Sequence, residues 1–132
     1  NQLAVGDWPS KQIIIYSLAG VIRKVPCPHS LKMTGFVCMS SCGDDSVVIS
    51  DRAAGKVVRM SLKDGSLLWS SDRVTNPGGI VHHPAGYVLV VSHEVKHTTI
   101  SVLNENNGKF TVKSLILLYS FYARITLTTK EK

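Results

Sequence analysis

Four histidines, His82, His83, His93 and His97, form the most conspicuous ligand pattern in this 132-residue chain: His-His-x9-His-x3-His. Zinc would need three or four such groups converging tetrahedrally. His82 and His83 are adjacent, and neighbours on a strand point to opposite faces. The three cysteines, Cys27, Cys38 and Cys42, include no Cys-x-x-Cys pair. Cys38 reads as a small buried hydrophobe, Cys42 as a surface residue, and Cys27 lies in the linker Pro26-Cys27-Pro28. No Gly-x-Ser-x-Gly elbow offers a serine nucleophile. Asn76-Pro77-Gly78-Gly79 bends a turn and lacks the phosphate-cradling glycine pattern. The reading is therefore of a segment with no catalytic residues, no metal centre and no cofactor.

The elements that would position these residues repeat about every 43 residues, near the length of one four-stranded propeller blade. Leu3-Ala4-Val5-Gly6-Asp7 returns as Val47-Val48-Ile49-Ser50-Asp51 and as Leu89-Val90-Val91-Ser92-His93. Ile13–Leu18, Val57–Leu62 and Thr99–Asn104 follow in the same frame, and each then meets a glycine turn. Residues recurring in one frame recur for packing. Asp7 and Asp51 are accordingly expected to hold loop backbone N–H groups, and this sets His82 and His83 at the opposite strand end from His93 and His97. Runs such as Ile13-Ile14-Ile15 and Val88-Leu89-Val90-Val91 are apolar on both faces. Strands of that kind must be covered from both sides.

The expected architecture is all-β: a partial, open β-propeller of about three four-stranded antiparallel blades over residues 1–113, the first incomplete. Expected strands include Gly35–Met39, Ser46–Asp51, Lys56–Leu62, Tyr87–Ser92 and Lys109–Val112. Closed propellers have roughly four to eight blades, so three copies imply a piece of a longer protein. Residues 114–132 form a divergent C-terminal tail, readable as a strand pair, a helix or sequence foreign to the propeller. Its apolar run, Leu115–Leu127, covers 13 residues and contains Arg124, too short to span a bilayer as a helix.

Val48-Ile49-Ser50-Asp51-Arg52-Ala53-Ala54-Gly55-Lys56-Val57-Val58-Arg59-Met60-Ser61-Leu62-Lys63-Asp64-Gly65 resembles the NHL repeat, and Thr75-Asn76-Pro77-Gly78-Gly79-Ile80-Val81 resembles its opening Pro-x-Gly-Ile-Ala-Val. NHL propellers occur at the carboxyl end of tripartite-motif ubiquitin ligases, where they recognise protein or RNA. The resemblance implies a non-catalytic, protein-binding module; ligase activity would need a RING domain, which these residues do not contain. His93, where Asp is usual, departs from the pattern. Ser66-Leu67-Leu68-Trp69 after Asp64-Gly65 is also similar to a quinone-dehydrogenase propeller repeat, which leaves open a fragment of an enzyme with its active site on other blades.

Charge adds one distributed feature. Fifteen Lys and Arg face nine Asp and Glu, giving +6. In an up-down meander, one rim collects Lys11, Lys32, Arg52, Lys56, Arg73, Lys96, His29 and His97, against Asp7, Asp51, Asp72 and Glu94. The other rim collects Asp44, Asp45, Asp64 and Glu105 against Lys63 and Lys109. Trp8, Lys11, Lys32, Arg52, Lys56, Arg73, Lys96 and His97 are thus the candidate binding rim. A protein is the first expected partner. RNA is the second, attracted by the charge and stacking on Trp8. Self-association through open blade edges is a third expectation. An odd, sparse cysteine count suits a reducing, cytoplasmic setting.

Overall fold

The computed structural model describes residues 2–118, with side chains through residue 112. Its strands are β1 (Leu3–Asp7), β2 (Gln12–Ser17), β3 (Gly20–Pro26), β4 (Val37–Ser41), β5 (Ser46–Asp51), β6 (Lys56–Ser61), β7 (Leu67–Ser71), β8 (Pro77–His83), β9 (Tyr87–His93), β10 (His97–Asn104) and β11 (Phe110–Leu118). They form three antiparallel sheets, β1-β2-β3, β4-β5-β6-β7 and β8-β9-β10-β11, in which sequence neighbours are sheet neighbours. This is a partial, open propeller of three blades, the first with three strands.

Valine and isoleucine dominate the central strands because a β-branched side chain suits a pleated, packed surface. Alternation then assigns their two faces. Val47, Ile49, Val58 and Met60 pack with Ile13, Ile15 and Val25 of the first blade. Val48 and Val57 point the other way and pack with Val88, Val90 and Leu103 of the third. All six residues of β5 are buried. Each of its buried Val and Ile side chains is worth roughly 1.5–3 kcal/mol of burial, so the middle blade is held by both neighbours.

The turns repeat as closely as the strands. In the β6–β7 turn, Gly65 N–H donates to Ser61 O at 3.0 Å, and Ser66 N–H donates to Asp64 Oδ1 at 2.9 Å. In the β10–β11 turn, Gly108 N–H donates to Asn104 O at 2.9 Å, and Lys109 N–H to Asn107 Oδ1 at 2.9 Å. Gly65 and Gly108 sit at φ 77° and 70°, a region that only glycine enters without a Cβ clash. Two stretches of unlike sequence thus make one turn.

The expected strands Gly35–Met39 and Lys109–Val112 each depart from the observed ranges by more than one residue. The innermost strand of the second blade is Val37–Ser41 rather than Gly35–Met39. Met33 and Gly35 adopt φ 56° and 87°, so the chain is still turning where the strand was expected. The linker before it is packed rather than loose, with Cys27, Leu31 and Met33 buried. The last strand runs past Val112 to Leu118, pairing Leu115 with Ile100 and Leu118 with His97. The rest of the expected tail lies outside the described residues.

Candidate functional site

Strand polarity gathers five connections on one rim: residues 8–11, 27–36, 52–55, 72–76 and 94–96. Their backbone is tied together from beneath by Asp51, whose side chain is buried. Its Oδ2 accepts Lys32 N–H and Met33 N–H, each at 2.7 Å, and its Oδ1 accepts Ala54 N–H at 3.1 Å. Asp51 therefore joins the loop of one blade to the connection arriving from the previous one, the role its recurrence suggests. Asp7 at the equivalent place accepts from Gln12 Nε2 at 3.2 Å. Hydrogen bonds from Gln12 and Ser10 hold its carboxyl below the usual range. In the third blade His93 fills the position, its Nδ1 3.3 Å from Thr98 Oγ1.

The predicted rim residues do not behave alike. Lys11, Lys32, Arg73 and Lys96 are exposed. Among the described residues, no ion pair engages any of them. His97 pairs with Glu94 at 3.3 Å. Lys56 is half-buried. Arg52 is a packing element as much as a cation: its guanidinium lies 4.8 Å from the Phe36 ring centroid, and its buried Nε has no hydrogen-bond partner. Trp8 is half-buried, packed against the core between the first two blades and over Gly6, where a Cβ would collide with the indole. The indole is thus committed to packing and does not stand clear as a stacking platform. Asp7 and Asp51 are tied to their own loops and Glu94 faces His97, which leaves Asp72 as an exposed carboxylate among the exposed cations Lys11, Lys32, Arg73 and Lys96.

Two apolar residues join them. Phe36 is 50 % exposed and Val95, at the tip of the β9–β10 loop, is fully exposed. Beside Val95 a shallow groove of about 490 Å³ is lined by Thr75, Asn76, Glu94, Lys96 and His97. Sequence reasoning looked for charge on this rim and passed over Phe36 and Val95. For Val95 the signal was a bulky apolar residue at a loop position; Phe36 gave none, since it falls within the expected strand Gly35–Met39 and the strand begins at Val37.

On the other rim the expected separation of the histidines holds, yet His82 has partners that the spacing did not reveal. Its Nε2 lies 2.5 Å from Glu105 Oε2, while His83 Nδ1 accepts Ala85 N–H at 3.0 Å. Cys42, expected at the surface, is buried at 4 % exposure. Cys42, His82 and Glu105 each bring one ligand-type atom within 4.8 Å of the others, a grouping the histidine spacing did not reveal. They come from the β4–β5 loop, from β8 and from the β10–β11 turn, so only the stacking of two blades unites them. Burial pushes the Cys42 thiol up; Arg59 opposes this, and Glu105 adds to it.

No family model and no curated protein matches this sequence. Solved structures do. The β-propeller domain of Cps50 (Swd1) from Myceliophteria thermophila superposes with a TM-score of 0.53 at 14 % identity, over 89 % of this chain. The match spans 41 % of that domain's chain. At such identity the likeness is one of fold, and it places these three blades among the β-propellers.

Proposed function

We propose that this segment is a non-catalytic recognition module of an NHL-type propeller, and that its basic rim binds an acidic protein surface carrying an apolar anchor. The observation that carries this reading is the pairing of exposed cations that enter no ion pair among the described residues with exposed apolar side chains on the same loops. Lys32 and Lys96 supply charge beside Phe36 and Val95. A protein interface combines an apolar centre with a charged rim. Single-stranded RNA would call for free aromatic faces; on this rim Trp8 is folded onto the core and the exposed Phe36 already carries the Arg52 guanidinium on one face.

The NHL-like residues Val48–Arg59 and Thr75–Val81 form β5, β6, their loop and the approach to β8. Their resemblance supports a ligase-type scaffold as the wider context. A cytoplasmic setting fits the three free cysteines.

A peptide alternating acidic and large apolar residues is the probe, with a single-stranded oligouridine as competitor. Val95→Asp and the pair Lys32→Glu/Lys96→Glu should each weaken peptide binding about 10-fold, ~1.4 kcal/mol. Peptide affinity untouched by both changes would contradict the reading. Oligouridine binding that falls with log salt at about −0.7 per phosphate contacted would reassign the rim to RNA.

A further inference from the structure

We propose that Cys42, His82 and Glu105 form a zinc site that clamps the second blade to the third at the acidic rim. The three donors are a thiol, an imidazole and a carboxylate, the set zinc accepts at about 2.0–2.3 Å. Their ligand atoms already lie within 4.8 Å of one another. A tetrahedral ion would set them roughly 3.4 Å apart by those bond lengths. The His82–Glu105 contact at 2.5 Å would open by about 1 Å, and Cys42 would close on the pair, movements within the reach of side-chain rotation.

The backbone behind each donor is fixed. Cys42 N–H donates to Ser46 O at 3.0 Å, and His82 N–H donates to Ser40 Oγ at 3.1 Å. Glu105 is held most firmly: its carbonyl accepts Trp69 Nε1–H at 2.7 Å and Arg59 Nη1–H at 2.8 Å, while its N–H donates to Gly86 O at 3.0 Å. Donors held this way lose little freedom when an ion arrives. A hydrogen-bonded His82–Glu105 pair would satisfy itself without a sulfur beside it, whereas a zinc ion uses all three.

The charge balances. A Cys42 thiolate and the Glu105 carboxylate together neutralise Zn²⁺, and the thiol proton leaves to solvent as the S–Zn bond forms. The Glu105 side chain is 27 % exposed, which gives the ion a path in and lets water take the fourth position.

Cobalt reports directly on the sulfur ligand. The full chain should take up one equivalent of Co²⁺ with a thiolate-to-cobalt charge-transfer band, and zinc should displace it. Zinc should also raise the thermal midpoint. Cys42→Ser should abolish the band and the zinc-dependent shift, Glu105→Gln should weaken uptake at least about 10-fold, and His83→Gln should leave both intact. Cys42→Ala, which suits a small buried site, repeats the test should the serine variant fold poorly. The absence of any band, or a band that survives both Cys42 substitutions, would overturn the proposal, as would equal loss in His83→Gln.

Discussion

Asp51 does more for the rim than any of its cations, because one buried carboxylate accepts three backbone N–H groups from two separate connections. Removing it strands those donors beneath the rim, Met33 N–H in a buried position. Each unmade bond of this kind costs ~1–3 kcal/mol. Asp51→Ala should therefore lose about 3 kcal/mol or more in urea denaturation and loosen both the 27–36 and 52–55 connections; a loss below about 1 kcal/mol would remove the anchor from the account. Cys27 gives a pH test. Burial pushes its thiol up to about 11 from an ordinary 9.0. The unfolded chain ionises first, so the stabilisation is complete below pH 9 and is lost as pH rises toward 11. Stability measured across that window should fall in the wild type and fall less in Cys27→Ala. At neutral pH the buried thiol should also resist alkylation.

At the scale of strands and turns, the two long C-terminal hairpins of the second and third blades depend on one glycine each. Gly108 carries φ 70°, and a Cβ there would press into the Trp69 ring, which itself reaches across to Glu105. Gly108→Ala should cost more than Gly20→Ala, where φ is 116° but nothing lies within 4 Å. Thermal midpoints of the two variants check the order. These turns were readable in the sequence as glycine at a fixed offset after each apolar run. Boundaries were read less well where positive-φ residues other than glycine do the turning: nothing in the identity of Met33 announces φ 56°. The rim was legible as charge because loops fall at regular intervals along a meander. Which cations would be spent on packing was not, since the stacking of Arg52 on Phe36 and the burial of Trp8 depend on contacts between connections far apart in sequence. Cys42, His82 and Glu105 were hidden for the same reason. The turn hydrogen bonds set Glu105 where the second blade has Leu62, an equivalence hidden by the sequence frame, in which Leu62 aligns with Asn104.

For the whole molecule, the arrangement makes the middle blade the stable part and the first blade the exposed one. On β1–β3, Leu3 and Val21 flank Tyr16, and Val5 opposes Ile14; this face turns away from the second blade, with Leu3 63 % and Val21 55 % exposed. A further blade of a longer ring, or a second copy, would cover it. Sedimentation should show concentration-dependent association that Val5→Lys/Val21→Lys suppresses. The common claim beneath site, clamp and association is that stacked, equivalent blades bury the second from both sides. Native-state hydrogen exchange resolved by strand tests this most directly. Amides of β5 and β6 should exchange slowest, and those of β1 should exchange far faster. Equal rates in β5 and β1 would contradict the stacking on which the rest is built.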